Sequence, residues 1–152
     1  MTERFIKLTA GGFGCGFLPI APGTAGTVVG IPLFLLFSQF SWPLHLLSIV
    51  TFAFFAVYIA REAEGIFGKK DAQQIVIDEI AGFQFTLFMV APNVWHIFYG
   101  FVLFRFFDIV KLYPARLLEN RWPDGYGVVG DDVVAGIYGC IVLHIFIFIF
   151  KV

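Results

Sequence analysis

Charge is scarce in this sequence. Only 14% of its 152 residues are Asp, Glu, Lys or Arg, while 59% are hydrophobic. Soluble domains average about 25% charged residues, so an ordinary water-soluble globule is excluded. The net charge is −1, and no basic patch appears, which excludes a nucleic-acid partner. Cysteine is rarer still. Cys15 and Cys140 stand far apart with no CxxC spacing, so they read as small buried hydrophobes rather than a redox or metal pair. Cys-x5-Arg, Asp-x-Asp-x-Thr and Pro-Ser-Gly-His blocks are also missing, and with them the better-known phosphatase chemistries. An apolar run after Arg4 and Lys7 is lacking too. The residues beyond Lys7 are Gly-rich, so no cleavable leader is expected.

What is present is apolar length. The mean hydropathy is +0.87, and Phe alone accounts for 21 residues. A membrane-spanning helix needs roughly 20 mainly apolar residues. Five segments are expected to serve, at Thr24–Phe40, Pro43–Ala60, Ile75–Ala91, Val94–Val110 and Asp131–Phe150. They are preceded by an interfacial or re-entrant stretch, Phe5–Leu18. The expected fold is all-α, a polytopic membrane helical bundle of about five transmembrane helices, in a single domain over residues 1–152.

The connections alternate in character. Ser38–Pro43 and Ala91–Val94 carry no charge, whereas Arg61–Gln74 and Lys111–Gly130 carry most of it. Lys and Arg mark cytoplasmic ends. With a cytoplasmic N-terminus, Arg4, Lys7, Arg61, Lys69, Lys70, Lys111, Arg116 and Arg121 all fall on one side, eight of the ten basic residues.

The remaining charges lie inside the apolar segments, where ionisable residues are costly and usually functional. Asp78 and Glu79 lie about one turn inside the third segment. Asp108 closes the fourth, with Arg105 a turn deeper and Lys111 a turn shallower; Asp131 and Asp132 open the fifth. The topology brings all five carboxylates to one leaflet. Asp131 alone could be a helix N-cap, and Arg105 with Asp108 an i,i+3 structural ion pair. Five acids against two bases leave an excess of negative charge to be offset by protons or a cation, and hard oxygen donors at that density suit Mg²⁺. "DEIAG" (Asp78–Gly82) and "DDVVAG" (Asp131–Gly136) place small residues one turn below the acids, where they let helix backbones approach closely.

"LPIAPGTAGT", Leu18–Thr27, precedes the first span. Pro22, Gly23, Thr24, Gly26 and Thr27 read either as a capped turn or as a helix N-terminus offered to a phosphate. "WPDGYGVVGDD", Trp122–Asp132, is a second Gly-rich approach to the same face.

Four blocks, "GFLPIAPGTAGT", "IVIDEIAG", "FRFFDIVKLYPAR" and "GYGVVGDDVVAG", together resemble the successive signatures of the phosphatidylglycerophosphatase A family, in order and over nearly the whole chain. The resemblance implies a Mg²⁺-dependent phosphatase of the bacterial cytoplasmic membrane that acts in phospholipid biosynthesis. It would convert phosphatidylglycerophosphate, a lipid in the bilayer, to phosphatidylglycerol and phosphate at the cytoplasmic face. Carried over by position, Asp78, Glu79, Asp108, Asp131 and Asp132 become metal ligands. Asp131, Asp132, Arg105 and Lys111 become catalytic residues, and Pro22, Gly23, Thr24, Gly26 and Thr27 the phosphate-side substrate contacts. Two alternatives fit less well. The CDP-alcohol phosphatidyltransferase pattern fails at Val129, where an Asp is required. A Mg²⁺ or proton-coupled transporter using the same acids would need charge reaching the other face; only Lys151 lies there, and His144 reads as a helix-packing residue.

Overall fold

The computed structural model describes residues 2–122 and 124–151. Every regular element among them is helical. A short helix α1 (Glu3–Ala10) leads into a 3₁₀ turn (Gly12–Phe17), followed by α2 (Pro22–Phe37), α3 (Trp42–Phe67), α4 (Ile77–Thr86), α5 (Val94–Val110), α6 (Ala115–Arg121) and α7 (Asp124–Phe150).

The helix ends follow local chemistry. Pro22 opens α2, where its fixed φ and missing N–H carry no penalty. The Asn93 side chain accepts from the Trp95 and His96 amides at 2.7 and 3.3 Å and so caps α5. α3 stops at Gly68, whose φ of 66° supplies the left-handed residue that terminates many helices.

α7 is the organising element, packed against α3, α4, α5 and α6. Its contact with α4 is made by glycines. A Cβ on Gly82 would come within 2.6 Å of the Asp132 carbonyl oxygen, and one on Gly136 would overlap the Gly82 carbonyl. The two backbones therefore meet directly, as small residues allow in membranes. α2 lies on the other side of α4, and Gln84 of α4 donates from Nε2 to the Gly30 carbonyl at 3.0 Å.

The outer surface is apolar. Phe54, Val102, Phe106, Ile141, Ile145 and Phe148 are all exposed, Phe148 to 84%. These side chains come from α3, α5 and α7 alike, and water-soluble monomers rarely expose large apolar patches. α3 (Trp42–Phe67) and the stretch Gly125–Phe150 of α7 are each long and apolar enough to cross a bilayer.

Several boundaries differ from expectation. α2 spans Pro22–Phe37 rather than Thr24–Phe40. α3 runs Trp42–Phe67 rather than Pro43–Ala60, so Arg61, Glu62 and Glu64 stand on a helix instead of in the connection. α7 begins at Asp124, not Asp131, so Asp131 sits two turns inside the helix and is not its N-cap. The Gly-rich run reads as a loop by propensity. Yet Val129 is 1% exposed and packs with Ala56, Ile59 and Ala60 of α3, and that burial outweighs the weak helix preference of glycine. Pro123 in the same run lies outside the described residues. α4 has ten residues rather than the seventeen of Ile75–Ala91, and ends in a turn around Met89, which has φ 59°. The Phe5–Leu18 stretch forms part of α1 and the 3₁₀ turn. It is tied to the loop before α4 by the Val76 amide donating to the Ala10 carbonyl at 2.9 Å.

Candidate active site

Three helices and one loop deliver the acids to a single cavity. The first turn of α4 carries Asp78 and Glu79, the last turn of α5 carries Asp108, and the third turn of α7 carries Asp131 and Asp132. These five line a cavity of about 80 Å³ together with Asp71, Lys111 and Val128. The volume is well above the ~10–15 Å³ that admits one water. The glycine contact between α4 and α7 lies one turn below the acids and sets their spacing. One oxygen each from Asp78, Glu79 and Asp132 lies within 4.8 Å of the others, although Asp78 and Asp132 are only 5% and 4% exposed.

The two cations are placed differently. The Lys111 ammonium donates to Asp131 Oδ2 at 2.8 Å. Lys111 is the residue just beyond α5, at φ 46°, and that left-handed turn directs its side chain toward α7. Arg105 Nη1 lies 2.6 Å from Asp108 Oδ2 and 3.9 Å from Glu79 Oε1. The shorter contact is ionic without hydrogen-bond alignment, since Nη1 and Nε make no hydrogen bond among the described residues.

Asp78 Oδ1, Glu79 Oε2 and Asp132 Oδ2 are also buried without a hydrogen-bond partner among the described residues. Buried polar atoms are satisfied in nearly all native proteins, and a buried unpaired carboxylate is far costlier than a neutral group. Three carboxylates that each carry such an oxygen, and that bring one oxygen apiece within 4.8 Å of the others, match the demands of a small divalent cation that retains waters.

The Leu18–Thr27 segment contributes less directly. None of Pro22, Gly23, Thr24, Gly26 or Thr27 lines the acid cavity. Gly23 reaches its wall: a Cβ there would overlap Glu79 Oε1 and lie 3.2 Å from Arg105 Nη1. Gly26 packs on Val76. Thr27 is fully buried, and its hydroxyl donates to the Gly23 carbonyl at 2.9 Å. Thr24 is half-buried beside them.

Asp71 is the residue that sequence reasoning missed. It lies in the charged loop between α3 and α4, where an acid excites no suspicion. Its position as the only carboxylate between Lys70 and Asp78 was the available signal.

An all-helical chain with two helices long and apolar enough to cross a bilayer and a cavity lined by carboxylates has, as a class, the build of a membrane-associated protein with an acidic centre. Within that class the chain belongs to the phosphatidylglycerophosphatase A family, whose sequence model matches residues 8–147. It is 35% identical over 138 residues to the Escherichia coli phosphatidylglycerophosphatase A, covering 90% of this chain and 80% of that one. Identity to the Haemophilus influenzae phosphatidylglycerophosphatase A is 35% over 143 residues, covering 91% and 86%. A Bacteroides thetaiotaomicron protein named "Putative phosphatidylinositol-3-phosphatase" is 38% identical over 143 residues, covering 88% of each chain. No solved structure matches. The chain is a phosphatase of phospholipid metabolism.

Proposed function

We propose that this chain hydrolyses the terminal phosphomonoester of phosphatidylglycerophosphate, consuming one water and releasing phosphatidylglycerol and inorganic phosphate at the cytoplasmic membrane face. The observation that carries this reading is the convergence of the Asp78, Glu79 and Asp132 carboxylates, which bring one oxygen each within 4.8 Å of the others and each bury an oxygen without a hydrogen-bond partner among the described residues. These three would hold Mg²⁺, with Asp108 and Asp131 at the cavity wall. Bound Mg²⁺ supplies charge neutralisation and Lewis-acid polarisation of phosphoryl oxygens.

The protein's own groups account for the rest. Arg105 has buried N–H groups without hydrogen-bond partners among the described residues and is the donor for phosphate oxygens. It stabilises charge that develops as the ester bond breaks. Lys111 orients Asp131 through their 2.8 Å bond, and Asp131 accepts the proton of the attacking water. The backbone of α2, brought against Glu79 at Gly23, closes the site on the side away from α7 and keeps bulk water from it.

The bilayer reading extends to five crossings. Glu79 is level with Arg105 and Asp108, as their contacts require. Asn93 lies fifteen residues before Asp108, about 22 Å along α5 at a rise of ~1.5 Å per residue. The chain from Glu79 to Asn93 must cover the same depth. α4 supplies about 10 Å of it, and the seven residues 87–93 can bridge the remainder at up to ~3.3–3.6 Å each. The third crossing is therefore half helix and half turn. The acids lie at the end carrying the charged loops, which the positive-inside rule assigns to the cytoplasm. In a chain lacking Cys15 and Cys140, cysteine at Lys69 should resist an impermeant thiol reagent in intact cells, and cysteine at Val94 should react. The reverse pattern would put the site on the outer face.

The Bacteroides relative's name raises phosphatidylinositol 3-phosphate as a second substrate with the same phosphomonoester chemistry. The deciding experiment compares phosphate release from the two lipids in mixed micelles by the purified chain. A kcat/KM at least ~10-fold higher on phosphatidylglycerophosphate is expected. Preference for the phosphoinositide would transfer the assignment, and release from neither would remove the enzyme reading.

A further inference from the structure

The loop joining α3 to α4 holds an acid for which the mechanism above has no role. Asp71 is exposed, yet it lines the same cavity as the buried Asp78 and Asp132, and so stands at its mouth. Its backbone is left-handed, at φ 49°, a conformation disfavoured for residues with a Cβ, though least so for Asn and Asp. The Asp71 amide donates to Glu64 Oε1 at 2.8 Å. Glu64 is 8% exposed, on the last turn of α3, one turn before Gly68 ends that helix. A buried carboxylate thus fixes the backbone of the residue at the cavity mouth through a charge-assisted bond. The bland account is a capped loop with an Asp tolerated at a left-handed position. That account leaves unexplained why the loop brings a further negative charge to a cavity already crowded with them, a placement that a bound cation would make favourable.

We propose that Asp71 is the outer carboxylate of the divalent-cation site, engaging the ion or its waters from the solvent side, and that Glu64 is the positioning residue that holds it there. The proposal rests on the metal-dependent reading of the centre and adds one ligand and one positioning residue to it.

Asp71→Asn separates the two accounts, because Asn suits a left-handed turn as well as Asp does but carries no charge. The full chain, purified in detergent, would be titrated with Mn²⁺ followed by electron paramagnetic resonance, alongside the Mg²⁺ concentration giving half-maximal turnover. Asp71→Asn should weaken Mn²⁺ binding at least ~10-fold and leave the melting temperature unchanged. Glu64→Ala should weaken it ~10-fold, as loss of groups that orient metal ligands does. Glu64→Gln, which retains an acceptor oxygen, should stay near the parent chain. Combining Glu64→Ala with Asp71→Asn should weaken Mn²⁺ binding no further than Asp71→Asn alone, as expected of a residue that reaches the site through Asp71. Unchanged Mn²⁺ binding in Asp71→Asn overturns the proposal, and a Glu64→Gln variant as weak as Glu64→Ala overturns the positioning role. Asp132→Asn serves as the reference. If it loses Mn²⁺ while Asp71→Asn does not, only this inference falls; if it too binds normally, the metal reading of the centre falls with it.

Discussion

The two halves of the bundle are packed with different residues. Around the charged end the core is made of Ala10, Ala56, Ala60, Ala63, Ala72 and Ala81, with Ile and Val between them. Toward the uncharged end it is made of Phe34, Phe83, Leu87, Phe104 and Leu143, and the buried His45 lies between Phe34 and Phe88, ring centroids 6.4 and 5.3 Å away. The difference is one of purpose. Carboxylates are short, so oxygens on α4 and α7 come within 4.8 Å only if the two backbones nearly touch, and at Gly82 and Gly136 only glycine permits that. The second core holds no such carboxylates, so its packing has no oxygen spacing to keep. Substitutions in the first half should therefore register in turnover, and those in the second half in stability alone.

The largest effect is expected from the acids themselves. Asp132→Asn and Glu79→Gln should each lower kcat by at least ~10²-fold, the scale of losing a group that stabilises the transition state, while the protein still inserts and elutes as a folded species. Near-normal turnover in both would make the cluster structural. Next comes the spacing. Gly136→Ala forces α7 off the Gly82 carbonyl. A displacement near 1 Å costs up to about 10²-fold in rate, and overpacking costs about 1–3 kcal/mol of stability, so turnover and melting temperature should both fall. Lys111→Ala should reduce kcat/KM ~10-fold, because hydrogen bonds to charged groups contribute about 1.5–3 kcal/mol. Thr27→Ala, losing only a hydroxyl bound to the Gly23 carbonyl, should cost less than Lys111→Ala in the same assay. Equal values would make Lys111 a mere interfacial anchor. The smallest catalytic effect belongs to the aromatic half. Phe34→Leu should lower the melting temperature, at about 1 kcal/mol, with kcat per folded molecule unchanged. Loss of turnover there would erase the distinction between the halves.

These differences explain what the sequence made visible. Asp78, Glu79, Asp108, Asp131 and Asp132 stood out because ionised groups in apolar segments are improbable unless used, and the structure brings all five to one cavity. Gly82 and Gly136 were legible from their position one turn below the acids. The start of α7 was not, because glycines at 125, 127 and 130 signal a loop, and only tertiary burial of Val129 against α3 reverses that. The brevity of α4 was hidden too: Leu87–Val90 are as apolar as the helix before them, and hydropathy cannot distinguish an apolar turn from an apolar helix. Asp71 escaped because an acid in a hydrophilic loop is the commonest thing in proteins. Its value depends on a backbone hydrogen bond from seven residues away, at Glu64, which no pattern of side chains encodes.

The central claim is that the carboxylates of Asp78, Glu79 and Asp132 form a divalent-metal centre for phosphomonoester hydrolysis. It is tested most directly by following phosphate release from phosphatidylglycerophosphate through removal and return of Mg²⁺. After EDTA, release should fall to background. Added Mg²⁺ should restore it in the parent chain and fail to restore it in Asp132→Asn. Release that persists in EDTA, or full Mg²⁺-dependent release by Asp132→Asn, would contradict the claim.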